Sequence, residues 1–218
     1  MSQATMPSPV LRKTKTGSMI LLGLALIFAL VFIVGFALPY LSWNPARFGP
    51  YWPKRGWLLM HICGGIVGIL AGPVAIWLGI RRQRMAVHRA LGFTYLASMG
   101  LSSLAALYLA IHTDVSWVFG MGLSGLAVAW FVTTGLAWMA IRRRLITQHQ
   151  EWMIRSYVVT FGFVNFRWFA GVLQAAGVGA LPDQLAAASW FCWSIPLLIT
   201  EAVLQGQKIR NASLRAQP

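Results

Sequence analysis

The chain has 218 residues, of which 58% are hydrophobic and only 10% are charged, and its mean hydropathy is +0.66. A soluble domain carries about 25% charged residues, so this composition excludes an ordinary soluble enzyme or binding domain. The formal net charge of +14 would suit a nucleic-acid-binding protein, but the basic residues are grouped between apolar segments. We therefore expect an integral membrane protein whose partner is the lipid bilayer, with no nucleic acid.

Six apolar segments are long enough to cross a bilayer, for which about 20 residues are needed. They lie at roughly residues 17–40, 57–80, 90–111, 117–140, 152–175 and 187–205. Little chain is left for a soluble domain. We predict an all-α, polytopic integral membrane bundle of six transmembrane helices over residues 17–205, with polar cytoplasmic tails at 1–16 and 206–218.

The basic residues predict how the bundle is oriented. With the N-terminus in the cytoplasm, 14 of the 18 Lys and Arg residues fall in cytoplasmic segments: Arg12, Lys13, Lys15, Arg81, Arg82, Arg84, Arg89, Arg142, Arg143, Arg144, Arg155, Lys208, Arg210 and Arg215. The outer loops then hold only Arg47, Lys54 and Arg55. By the positive-inside rule, we expect both termini in the cytoplasm and the protein in the bacterial inner membrane.

The second segment carries three regularly spaced glycines. Gly64, Gly68 and Gly72 recur every fourth residue and form one smooth groove on the helix. His61 lies three residues before Gly64 and shares this face. Two interpretations stay open: a close helix–helix contact with one polar residue at its rim, or a flat ligand that rests on the glycines and is bound by His61.

Two histidines open the third and fifth segments after arginine-rich loops. Arg82 precedes His88 by six residues, and Arg143 precedes His149 by six. This shared spacing suggests that the second and third segments, and the fourth and fifth, are duplicated helical hairpins.

The fifth segment carries polar residues along two lines. His149, Ser156, Thr160 and Arg167 fall within about 20° of one another on an ideal helix, and Arg155, Gly162 and Asn165 form the opposite line. An Arg near a helix centre costs roughly 2.5–3.5 kcal/mol to insert on translocon scales, so such residues need partners inside the protein. This helix is therefore expected to be surrounded by protein or to border a hydrated cavity.

The sixth segment offers a partner for one of these residues. Glu201 lies near its inner end, at the depth expected for Arg155. We predict an Arg155–Glu201 ion pair that leaves both intramembrane charges satisfied.

Three runs of the chain resemble a known family in the right order: HRALGFTY, HQEWMIRSYVVTFGFVNFRWFAG and SWFCWSIPLLITEAVL. The family is the bacterial membrane proteins of domain of unknown function 2306 (DUF2306), and the resemblance covers roughly residues 57–205. It implies a multi-helix inner-membrane protein and brings no established activity.

A more distant resemblance is to the b-type transmembrane cytochromes, which hold haem between histidines on neighbouring helices. It implies His88 and His149 as axial ligands of a candidate haem b iron, with Arg89 and Arg155 near the propionates. His61 is a further candidate ligand, but the fourth segment has no histidine to complete a second haem site. No other metal site is expected.

Two functions therefore stay open. A non-catalytic membrane protein for transport, assembly or partner binding would place the histidines at separate loops, with the polar line of the fifth segment on a water-filled cavity. A haem-binding or quinone-interacting electron-transfer protein would bring the two histidines face to face beside a planar void at the glycine groove. The sequence favours the first, in the company of a membrane protein partner or a second copy. Its four acidic residues are scattered, so catalysis is not expected.

Overall fold

A computed structural model describes residues 15–215, which form helices joined by short turns, with no strand in that range. The helices are α1 (Lys15–Phe32), α2 (Pro45–Phe48), α3 (Arg55–Arg81), α4 (Met85–Ile111), α5 (Trp117–Arg142), α6 (Ile146–Thr160), α7 (Gly162–Ala175) and α8 (Leu181–Arg215). A π-helical turn and a 3-10 helix continue α1 to Ser42. The predicted all-α class is confirmed.

Four helices are long and apolar enough to cross a membrane: Pro45–Arg81, Met85–Ile111, Trp117–Arg142 and Leu181–Leu214. A shorter apolar helix, Leu26–Ser42, occupies part of the first predicted segment. Large apolar side chains cover the outside of the bundle, as lipid contact requires. The predicted count of six transmembrane helices is only partly matched by these four.

The fifth predicted segment is divided where α6 ends and α7 begins. The Thr160 hydroxyl donates to the Ser156 carbonyl oxygen at 2.9 Å. Such bonds to the preceding turn commonly bend helices. The chain then continues through Gly162, where a Cβ atom would lie only 2.9 Å from Cδ1 of Leu126. The break therefore coincides with a close approach of this helix to α5.

The centre of the bundle is formed by α4, α5 and α6. Tyr95, Met99, Leu126, Trp130 and Val159 are almost completely buried there. In lipid, helices associate through close packing and hydrogen bonds because the surrounding chains are as apolar as the protein. The fit of these side chains therefore holds the three helices together.

Two further layers cover this centre. Helix α3 packs along α4 as an antiparallel neighbour, and α8 packs on α5, α6 and α7. Helix α1 contacts the rest through a smaller cluster made of Ala29, Ile33, Ile69 and Val164. This cluster lies beside the space described below.

The arginine-rich loops lie together at one end of the bundle, here called the inner end. Because α3–α4 and α5–α6 are successive antiparallel hairpins, the turns at 82–84 and 143–145 share that end. Arg82, Arg84 and Arg144 have positive φ angles of 50°, 45° and 59°. The opposite end, with α2, is called the outer end.

The predicted tails are reached only in part. Arg12 and Lys13 lie outside the described residues, as does most of the tail predicted at 1–16. Helix α8 continues to Arg215, so the segment predicted as a tail from residue 206 is helical over most of its length.

Candidate functional site

His88 and His149 occupy equivalent positions in the two hairpins. Nδ1 of His88 lies 2.8 Å from the carbonyl oxygen of Ala75, and Nδ1 of His149 lies 2.9 Å from that of Ala137. A carbonyl oxygen only accepts, so Nδ1 is the donor in both rings. Each histidine therefore ties the start of one helix to the helix before it, as duplicated hairpins would require.

This arrangement gives no positive support to the predicted haem site. A haem needs a flat space bounded by both axial rings. The His88 ring instead packs on Gly79, where a Cβ atom would lie 2.8 Å from its Cε1. Arg89 is exposed, and Arg155 is engaged by carboxylates. In the structure, both histidines are bonded to main-chain carbonyl oxygens at the inner end.

Arg155 and Glu201 form the predicted ion pair. Nε and Nη2 of Arg155 lie 2.7 and 2.6 Å from Oε2 of Glu201. Glu151 adds a second carboxylate 3.7 Å from Nη1, and Lys208 binds Glu151 at 2.7 Å. The Trp152 ring lies 4.6 Å from the guanidinium carbon. The positive charge of Arg155 is thereby balanced by two carboxylates, and its side chain joins α6 to α8.

Asn165 shares this face and also contacts α8. Its Nδ2 donates to the Cys192 carbonyl oxygen at 3.0 Å. The line of Arg155, Gly162 and Asn165 is therefore covered by protein, with its two polar side chains bonded to α8.

The opposite polar line of the same segment belongs to a buried hydroxyl network. Tyr95 Oη lies 2.8 Å from both Ser156 Oγ and Thr160 Oγ1. Thr134 Oγ1 lies 2.7 Å from Ser156 Oγ, and Trp130 Nε1 donates to Thr160 Oγ1 at 2.9 Å. All five side chains are buried. The network joins α4, α5 and α6 at the centre of the bundle.

The direction of donation in this network follows from its ends. Thr160 accepts from Trp130 and donates to the Ser156 carbonyl, so Tyr95 must donate to Thr160. Ser156 then donates to Tyr95, and Thr134 donates to Ser156. The oxygen of Thr160 is consequently saturated by two donors and one acceptor.

The glycine groove (Gly64, Gly68 and Gly72) is filled by neighbouring residues. A Cβ atom at Gly64 would lie 2.8 Å from the Ser98 carbonyl oxygen, one at Gly68 would collide with Met99, and one at Gly72 would lie 2.5 Å from Tyr157 Cε2. The groove therefore receives α4 and Tyr157 of α6. The planar void expected beside it for a flat ligand is not where the structure places open space.

Open space lies instead toward the outer end, as a cavity of about 160 Å³. Its wall is mostly apolar: Phe32, Phe36, Leu58, Ile62, Gly65, Ile66, Ile69, Ala106, Leu109, Phe119, Leu123, Phe163 and Phe166. The polar residues on it are His61, Trp130 and Thr160 in the interior, and Tyr40, Tyr51, Thr113 and Arg167 toward the outer loops. An apolar cavity of about 150 Å³ is large enough to bind benzene. This one is therefore the size of a single ring.

His61 is a buried polar side chain on this wall, with only 7% of its surface exposed. Nδ1 lies 3.1 Å from the Ser102 carbonyl oxygen and 3.0 Å from Ser102 Oγ. The imidazole packs on Phe163, with ring centroids 4.4 Å apart, and its centroid is 6.2 Å from that of Trp130. Among the described residues Nε2 has no hydrogen-bond partner. His61 lies about 21 Å along α3 from Ala75, the residue to which His88 is bonded, so His61 and His88 belong to different sites.

Arg167 lies on the cavity wall without an acidic partner. Its guanidinium carbon is 5.4 Å from the Phe36 ring and 5.9 Å from that of Phe166. Within the described residues, the four carboxylates of the chain form their ion pairs elsewhere or none at all. Arg167 is also exposed, which suits a long cationic side chain that reaches toward the membrane surface.

The hydroxyl network was not predicted, and neither were the place and the apolar wall of the cavity. Only a hydrated cavity beside the polar line was expected, and Thr160 and Arg167 of that line lie on the cavity wall. Ser156 and Thr160 were placed on a polar line, but their partners Tyr95, Thr134 and Trp130 lie 22 to 65 residues away. Uncharged hydroxyl groups cost little to insert, so nothing in the sequence marks them as a group. A void has no sequence signal of its own.

Comparisons with known proteins support the family resemblance. Residues 58–204 match the family described as "Predicted membrane protein (DUF2306)", close to the predicted range of 57–205. No curated protein and no solved structure matches the chain. The distant resemblance to b-type cytochromes therefore gains no support.

Proposed function

Because the chain belongs to the DUF2306 family of predicted membrane proteins, we propose that it binds a small ring-bearing apolar molecule within the bilayer. The observation that carries this proposal is the mostly apolar, ring-sized cavity beside buried His61, whose Nε2 has no hydrogen-bond partner among the described residues.

The composition of the wall favours binding over catalysis. The residues that line the cavity include no carboxylate and no thiol. An acid–base reaction at His61 would need a second titratable group close to the reacting atoms, and the titratable side chains Tyr40, Tyr51 and Arg167 lie toward the outer loops. The proposed role is therefore non-catalytic, as in transport of the ligand or its presentation to a membrane protein partner.

The orientation in the membrane is part of the same proposal. Both arginine-rich loops and Lys208 lie at the inner end, which the positive-inside rule assigns to the cytoplasm. With α1 and the α6–α7 segment counted as spans, the chain crosses the inner membrane six times and has both termini in the cytoplasm. The cavity then lies in the outer half of the bilayer, where apolar rings dissolved in lipid have direct access.

The direct test is binding of a fluorinated ring by the protein in lipid nanodiscs, followed by ¹⁹F NMR. We expect 4-fluorotoluene to give a second resonance, distinct from that of the lipid-dissolved probe. Gly65→Leu should abolish it, because a Cβ atom at Gly65 meets no atom within 4 Å and the new side chain would enter the cavity. Gly100→Leu is the matched control, since Gly100 is equally unobstructed and lies outside the cavity wall.

A bound resonance that survives in Gly65→Leu would place the probe elsewhere and contradict the proposal. Complete absence of a bound resonance in the unchanged protein, at probe concentrations that saturate the lipid, would contradict it as well.

A further inference from the structure

We infer that the ligand carries a ring hydroxyl, as a phenol or a hydroquinone does, and that this group donates a hydrogen bond to Nε2 of His61. The inference rests on the proposed function and names the chemical class of its ligand. It follows from the hydrogen bonds that the polar atoms in the interior of the cavity already make.

The hydrogen bonds around His61 determine which of its ring nitrogens carries the proton. The Ser102 hydroxyl donates its single hydrogen to the His61 carbonyl oxygen at 2.8 Å. Towards Nδ1, Ser102 therefore offers two acceptors, its carbonyl oxygen and its Oγ. Nδ1 must supply the hydrogen between them, and a neutral imidazole then has a bare lone pair on Nε2.

The other polar groups in the interior of the cavity, those of Trp130 and Thr160, are already engaged in hydrogen bonds within the protein. The indole N–H of Trp130 is used on Thr160. The Thr160 oxygen has two donors, and its own hydrogen is used on the Ser156 carbonyl. Nε2 of His61 is therefore the one interior polar atom of this wall that is free to bind a ligand, and it is an acceptor.

The part of the cavity beside Nε2 of His61 is mostly apolar. Phe163 packs on the His61 ring, and Phe119, Leu123 and Ile62 are among the other apolar residues of the cavity wall. A ligand group with only lone pairs, such as a quinone or ketone oxygen, would face the lone pair of Nε2 and lose its hydrogen bonds to water. A ring hydroxyl satisfies Nε2 while the ring contacts the apolar wall. At Nε2 of His61, hydroxylated rings are therefore favoured over their carbonyl, ether and methyl counterparts.

A matched series of fluorinated rings tests this preference by ¹⁹F NMR in nanodiscs. The probes are 4-fluorophenol, 4-fluorotoluene and 4-fluoroanisole, which share the ring and differ in whether the substituent donates, lacks polarity or only accepts. Each affinity is referred to the probe's own partition into protein-free nanodiscs. A net hydrogen bond predicts that 4-fluorophenol binds roughly 3- to 10-fold more tightly than the other two.

The matching variant is His61→Phe, which keeps an apolar ring and removes the acceptor. We expect it to bind 4-fluorotoluene and to lose the preference for 4-fluorophenol. His112→Phe is the control, because His112 is an exposed histidine whose Nδ1 bonds to the Tyr108 carbonyl oxygen, outside the cavity wall. The comparison of the three probes on the unchanged protein needs no variant, so it decides the matter even if His61→Phe does not fold.

Equal affinities for the three probes would overturn the inference and leave the proposed function standing. A preference for 4-fluoroanisole would also overturn it, because Nε2 would then be a donor. No bound resonance with any probe would overturn the proposed function itself.

Discussion

Gly64 and Gly65 are neighbours on α3 with opposite surroundings. A Cβ atom at Gly64 would lie 2.8 Å from the main-chain oxygen of Ser98, whereas one at Gly65 meets no atom within 4 Å. One glycine admits the backbone of α4, and its neighbour borders the cavity. The helix thus changes from tight packing to open space within one residue.

This difference predicts opposite effects of the same substitution. Gly64→Ala should destabilise the protein by about 1–3 kcal/mol, because the obstructing atom is backbone and α4 must shift. Gly65→Ala should be neutral or stabilising by up to about 1 kcal/mol, because alanine restricts the unfolded chain. Thermal unfolding of both variants in detergent gives the answer. Equal losses at the two positions would show that the contact with Ser98 is not specific.

The hydroxyl network predicts a cost for removing one oxygen atom. Tyr95→Phe leaves the buried Ser156 hydroxyl without its acceptor and removes one of the two donors to the buried Thr160 oxygen. We expect a loss of about 1–3 kcal/mol, measured by thermal or denaturant unfolding.

Tyr108→Phe is the control for this prediction. Tyr108 stacks on Trp57, with ring centroids 4.4 Å apart, and its hydroxyl has no hydrogen bond within the described residues. Its replacement should change stability by less than about 0.5 kcal/mol. Similar losses for both tyrosines would mean that the network contributes nothing beyond the rings.

The ion pair between Arg155 and Glu201 predicts strong coupling between two substitutions. Glu201→Leu leaves the buried Arg155 with Glu151 alone at 3.7 Å, and Arg155→Leu leaves two carboxylates without their shared cation. Each should cost about 1–3 kcal/mol. The double variant should recover most of that loss, because neither unpaired charge remains. If the two losses of stability add up in a double-mutant cycle, the ion pair is not the reason for the losses in the single variants.

His149 predicts a pH dependence of stability. His149 precedes the predicted span at 152–175. Burial lowers its pKa from the usual 6.5. The hydrogen bond to the Ala137 carbonyl oxygen opposes this shift in pKa, and the charge of nearby His88 adds to it. Below that pH the unfolded chain binds more protons than the folded one, so the contribution of His149 is full above about pH 6.5 and is lost as the pH falls. The drop in melting temperature from about pH 7 to about pH 5 should be smaller in His149→Gln. Identical drops in the two proteins would rule out this residue as the cause.

The parts of the fold that follow from local sequence were predictable. Apolar runs indicated the helices because each must satisfy its own backbone in lipid. The Arg155–Glu201 pair followed from depth, since a charge within the bilayer demands an opposite one. The face shared by Gly64, Gly68 and Gly72 followed from helical period alone.

What depends on three-dimensional assembly was not predictable. The break between Thr160 and Gly162 reflects a hydroxyl bond and the approach of Leu126, and neither interrupts the hydropathy pattern. His61 was placed at the rim of the glycine groove, but its role depends on Ser102, 41 residues away. The haem expected at His88 and His149 came from a resemblance that the comparisons with known proteins do not support.

¹⁵N NMR of histidine-labelled protein in nanodiscs observes Nε2 of His61 directly. The chain has four histidines, so single His→Gln variants assign every signal. We predict that His61 carries its proton on Nδ1, and that its bare Nε2 signal shifts on addition of 4-fluorophenol but not of 4-fluorotoluene. A proton on Nε2, or an Nε2 signal that ignores both probes, would contradict the account.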